Sequence, residues 1–162
     1  MKKYLILFAL TLPLSIWAQY LLPNEEIIFS FETKNGKKMT LVKDKKDEYI
    51  QYRFGNKTKV EMEFPAARTK DSWKQFSYRS YHRGGGKQNA GMDLSYLSFT
   101  NNNYQYQVYN SYYAEDASHS TGVTVTDSKG KETDIPGIYK SIKGNLNSLD
   151  ESTLIVKENT GL

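Results

Sequence analysis

Cysteine is absent from this 162-residue chain, and histidine occurs only twice. The first absence excludes a disulfide scaffold, thiolate zinc sites, iron–sulfur centres and cysteine nucleophiles. The second excludes a three-histidine metal site, although carboxylates remain available to a hard cation. Net charge is also scarce: 22 basic residues against 18 acidic ones leave +4. With 14% aromatic residues, such a chain does not belong to the disordered class. The length suits one domain and is short for two.

The single long apolar run lies at the start. Lys2 and Lys3 precede an apolar stretch over residues 4–12, broken by Pro13, and Ser15-Ile16-Trp17-Ala18 places a small residue before Gln19. This order predicts a secretory signal over 1–18 with cleavage before Gln19. The run is shorter than the roughly 20 residues that span a bilayer, and no cysteine is present to carry a lipid. The expectation is a single exported domain over 19–162, in a bacterial periplasm or the outside medium. That segment holds 20 basic and 18 acidic residues, a net +2. So weak a field gives no reason to expect nucleic acid as a partner. A domain of this size buries about two thirds of its unfolded surface, so no cofactor or metal is expected to hold it together.

What the chain does have is period 2. Ile27, Phe29 and Phe31 fall on one face of a strand, and Asn35-Gly36 follows as a hairpin signal. Met39 and Leu41 continue a return strand. Ile50, Tyr52 and Phe54 alternate with Gln51 and Arg53, and Val60, Met62 and Phe64 with Lys59, Glu61 and Glu63. A strand is predicted over 73–82, carrying Trp73, Phe76, Tyr78 and Tyr81. Another runs over 92–100, a turn at Asn101-Asn102-Asn103, and a partner over 104–112. After a polar loop at 114–120 come a strand with Val123 and Val125 and one over 132–135. Ile138, Ile142, Leu146 and Leu149 have helical spacing, but Gly144 and Asn145 reduce it to a short helical turn. Residues 154–157 supply a closing strand. Eight or nine short strands with frequent turns indicate an all-β fold, an antiparallel barrel or sandwich. The barrel comes first, because closure removes sheet edges.

Catalytic patterns are missing: no His-x-x-x-His, no nucleophile elbow, no phosphate loop. His82 and His119 sit at strand margins, with Asp93, Glu115 and Asp116 near them in sequence. Arg83-Gly84-Gly85-Gly86-Lys87 is a flexible loop flanked by cations and suits close approach by a partner. Eight of the thirteen tyrosines fall between Tyr78 and Tyr113. Tyr109 has the opposite strand parity to Tyr104 and Tyr106. If the latter face the core, Tyr109 and Tyr113 face outward. Aromatic rings with polar tips suit binding surfaces. Arg83, Lys87, Tyr109 and Tyr113 are therefore the candidate binding residues, with no candidate catalytic or metal residue.

The segments FSYRSYHRGGGKQNAGMDLSYLSF, NNNYQYQVYNSYYAED and TGVTV resemble small uncharacterised secreted bacterial β-proteins. The opening FSFETKNGKKMTL is faintly similar to the first strands of periplasmic lysozyme-inhibitor barrels. Those barrels carry a first-strand cysteine and a Ser-Gly loop, where this chain has no cysteine and Arg-Gly-Gly-Gly, so no functional residue is carried over. Export, small size, the missing catalytic cluster and a flexible glycine loop beside aromatics point to a non-enzymatic binding module that recognises an envelope protein or cell-wall fragment, an inhibitor or immunity protein being one version. A cell-wall hydrolase and a structural envelope protein are the alternatives. A hydrolase requires a pocket joining two carboxylates, or a histidine and a carboxylate.

Overall fold

The computed structural model describes residues 20–87 and 89–158. The predicted signal over 1–18 and its cut before Gln19 lie outside the described residues. Of the described residues 55% are strand and 9% helical. The strands are β1 (Glu25–Glu32), β2 (Lys37–Asp44), β3 (Ile50–Asn56), β4 (Lys59–Phe64), β5 (Ser77–Arg83), β6 (Met92–Asn101), β7 (Tyr104–Tyr113), β8 (Ser118–Thr126), β9 (Glu132–Pro136), β10 (Lys143–Gly144) and β11 (Val156–Lys157). They form two open sheets, ordered β10-β1-β2-β3-β4 and β11-β5-β6-β7-β8-β9. The fold is thus a sandwich, and among the described residues no barrel closes. Residues 65–76, between β4 and β5, leave the ladder, exposed over 66–71 and turned inward at Ser72, Trp73 and Phe76. They bury Trp73 and Phe76 in the core.

That segment corrects the expected strand over 73–82. Lys70–Gln75 is a 3₁₀ turn, and β5 begins only at Ser77. Trp73 and Phe76, three apart, are both buried, which matches three residues per turn and not a strand period of two. Trp73 Nε1 donates to the Asp47 carbonyl at 3.1 Å. The expected loop over 114–120 is also shorter than predicted, because Ser118–Ser120 already belong to β8.

The core fills the gap between the sheets. Phe29, Phe31, Met39, Leu41 and Tyr52 meet Tyr78, Leu97, Phe99, Val108 and Val123. Phe99 is its centre, stacked on Phe64 at 4.6 Å and on Tyr106 at 4.9 Å between ring centroids. Tyr106 therefore faces inward, whereas Tyr104, at the strand end, is exposed.

Two turns fix the registers. Asn102 and Asn103 both have positive φ, so β6 and β7 are joined by a two-residue turn that pairs Asn101 with Tyr104. At Asn35-Gly36 only Gly36 is left-handed, at φ 77°, and the connection between β1 and β2 runs over four residues. A bulge between Ile27 and Phe29 leaves Ile28 as the extra residue. It reverses the faces expected for the start of β1. Ile28, not Ile27, joins the core, and Glu25 turns to the outer face.

Candidate binding face

The outer face of the six-stranded sheet is set by cross-strand pairing. Arg79, Tyr96, Tyr109 and Gly122 form one row across β5, β6, β7 and β8. Two residues along each strand lies the row Tyr81, Leu94, Ser111 and Ser120, and beyond it Arg83, Met92, Tyr113 and Ser118. Alternation turns every one of these side chains away from the Phe99 core. Tyr81, Met92, Leu94, Tyr96 and Tyr109 are half-buried, largely side by side, and Tyr113 is 37% exposed. The Arg79 guanidinium lies 4.3 Å from the centre of the Tyr96 ring, a cation–π contact.

Tyr109 is held more firmly than its parity alone implied. Its hydroxyl donates to Asp134 Oδ1 at 3.0 Å, two strands away on β9. To reach that far the side chain crosses β8 at Gly122, where an added Cβ would meet the Tyr109 hydroxyl and ring. The missing side chain of Gly122 is the bed on which the ring lies. Burial and the adjoining Asp134 carboxylate push the phenol up to about 12.

Next to Tyr109, towards the other end of the strands, the same face hollows into a trough of about 390 Å³. Ser98, Gln105, Gln107, Thr124, Thr126 and Glu132 line it, together with Arg79 and Glu158. Gln107 Nε2 donates to Ser98 Oγ at 3.3 Å across the β6–β7 pair.

Of the four residues singled out in the sequence, Arg83, Tyr109 and Tyr113 lie on this face. Arg83 and Tyr113 flank Met92 in one row. Arg83 Nε donates to the Ala90 carbonyl at 3.1 Å, so part of its hydrogen-bonding capacity closes the loop. Lys87 is exposed in that loop, beyond the end of the sheet. Sequence reasoning missed Arg79, Gln107 and Asp134. The register signal was nevertheless present. A two-residue turn at Asn102-Asn103 places Tyr96 opposite Tyr109.

The inner face of the same sheet carries a second polar cluster, past the core. His82 Nδ1 lies 2.8 Å from Asp93 Oδ1, and Nε2 lies 3.0 Å from Asp150 Oδ2. Asp150 also accepts from Tyr78 Oη at 2.9 Å and Ser80 Oγ at 2.7 Å. Asn147 donates to both oxygens of Asp93, at 3.0 and 2.9 Å, and accepts from Ser95. Burial alone would raise the Asp150 carboxyl. The hydrogen bonds from Ser80 and Tyr78 and the nearby His82 outweigh it, and the group is held below the ordinary carboxylate range. The two aspartates occupy opposite edges of the imidazole. Among the described residues no three His, Asp or Glu side chains are grouped to hold a metal ion. The cluster fastens residues 147–150 to β5 and β6.

No protein-family model, curated protein or solved structure matches this chain. Among the described residues no helix is long and apolar enough to cross a membrane.

Proposed function

We propose that the chain is an exported, non-enzymatic binding module, acting in the periplasm or outside medium. It recognises an envelope protein or cell-wall fragment through the outer face of the six-stranded sheet. One observation carries the reading. Tyr81, Tyr96, Tyr109 and Tyr113, with Met92 and Leu94, gather on one outward sheet face flanked by Arg79 and Arg83. Tyrosine, methionine and arginine are the residues enriched where surfaces bind partners. Inhibition of an envelope enzyme is one form this activity takes.

The hydrolase reading has its own support, since His82 stands between two carboxylates. Both ring nitrogens, however, face aspartates of the chain itself, leaving neither directed at a substrate. That arrangement serves better as a clasp than as a general base.

The test is binding to cell-envelope fractions. Purified protein is mixed with wall sacculi and with envelope protein extract, and Tyr96→Ala and Tyr113→Ala are compared with Lys57→Ala in the exposed turn between β3 and β4. Weakened retention on either fraction for the tyrosine variants alone is the expected result. Equal retention of all three would remove the face from the function.

A further inference from the structure

We propose that the ligand of this face is a neutral glycan strand of linked pyranose rings, seated in the trough with one ring stacked on Tyr109. This rests on the binding reading above and narrows its partner to one chemistry. The first ground is the platform. Tyr109 lies across β8 over Gly122 with its hydroxyl tied to Asp134, so its outward ring face is fixed in place before any ligand arrives. A pyranose has an apolar face of C–H groups that fits such a surface, and a ring already held loses little freedom on binding.

The second ground is the lining. Hydroxyls and amides from Ser98, Gln105, Gln107, Thr124 and Thr126 place donors and acceptors side by side on neighbouring strands. Sugar hydroxyls are donors and acceptors at once, so an interleaved lining matches them group by group. The third ground is charge. Arg79, engaged with Tyr96, and the carboxylates of Glu132 and Glu158 all line the trough, so both signs of charge are present. A polyanion finds carboxylates there and a polycation finds Arg79, whereas a neutral chain meets neither penalty. The interfaces that proteins favour have cores depleted of such charged and polar groups.

Chitohexaose and cellohexaose, both neutral, are the probes, read by saturation-transfer NMR and titration calorimetry. At least one is expected to bind, with saturation on the ring C–H protons. Its affinity should be unchanged between low and high salt, because screening acts only on charges. Tyr109→Ala should weaken it about tenfold, Gln105→Ala a few-fold, and Lys57→Ala not at all. Circular dichroism verifies that each variant is folded. Should Tyr109→Ala prove unstable, Gln105→Ala and Thr126→Ala carry the test, since both line the trough as a cross-strand pair and neither is buried. Oligosaccharide binding that folded trough variants leave intact overturns the site. Absence of oligosaccharide binding, with Tyr113→Ala still weakening capture of an envelope protein, overturns the glycan and leaves the binding face standing. Absence of both overturns the two together.

Discussion

The two sheets of this sandwich share one architecture and use their outer faces in opposite ways. On the five-stranded sheet the outward residues Ser30, Thr40, Gln51 and Arg53 are all 1% exposed or less. Arg53 donates to both oxygens of Glu25, at 2.6 and 2.7 Å, to Glu63 at 2.9 Å and to Gln51 at 2.5 Å. Tyr49 donates to Glu25 at 2.8 Å, and the carbonyls of Tyr20 and Pro65 accept from Arg53 and Gln51. The polar groups buried there, Glu25, Ser30, Thr40, Gln51 and Arg53, have found partners within the chain. On the six-stranded sheet the outward face carries tyrosines, hydroxyls and amides that remain in contact with solvent. Polar alternation alone does not distinguish a closed face from an open one. The difference lies in whether the chain itself completes the hydrogen bonds.

The largest effect expected is on the closed face. Arg53→Ala leaves the Glu25 carboxylate buried without its cation and should cost about 3–5 kcal/mol in urea unfolding. Replacing Arg53 and Glu25 together by apolar residues should recover much of that loss. A cost for Arg53→Ala near that of an exposed residue would show that the two faces do not differ in this way.

Gly122→Ala comes next, on the open face. Its Cβ would displace the Tyr109 ring and meet the Ile135 carbonyl at 2.8 Å. A loss of about 1–3 kcal/mol is expected in thermal unfolding, the range for overpacking. Tyr109→Ala combined with Gly122→Ala should cost less than the two added separately, because the clash vanishes with the ring. Strict additivity would mean the ring does not rest on Gly122.

Acid should act through carboxylates whose folded pKa is depressed. Burial raises Glu25, but hydrogen bonds from Arg53, Leu22 and Tyr49 and the Arg53 charge outweigh it. Asp150 is lowered as well. Each contributes stability that is present above its unfolded value, about 4.3 for Glu and 3.9 for Asp. That stability is lost as pH falls through the lower folded value. Melting temperature should therefore decline below pH 4, and the decline should be shallower once Arg53 and Glu25 are both apolar. Substitutions at Tyr96 or Tyr113 should leave its slope unchanged.

The smallest effect is expected at Tyr113, where alanine should shift stability by less than about 0.5 kcal/mol. A much larger loss would place Tyr113 in a packed environment and bring the two faces closer in kind.

The strands were legible because residues 50–54, 59–64 and 104–113 repeat every two positions, and strand geometry puts such residues on alternate faces. The Tyr109 parity was legible for the same reason. The 3₁₀ turn around Trp73 was not, since an aromatic-rich segment reads as strand until the buried spacing is known. Nor was the bulge at Ile28. One extra residue reverses the faces of everything before it, and nothing local in Glu25-Glu26-Ile27-Ile28 marks which residue is extra.

Local sequence thus determined the all-β class and a turn within Asn101-Asn102-Asn103, which the structure narrows to Asn102-Asn103 by pairing Asn101 with Tyr104. These depend on neighbours along the chain and on which backbone angles a residue tolerates. Tertiary structure decided the rest: two open sheets in place of a barrel, Arg53 sealed against Glu25, and Asp150 brought 68 positions along the chain to His82. It also decided that Tyr109 lies down over Gly122. Such contacts join residues far apart in sequence, and their free energy exists only once both partners have been placed.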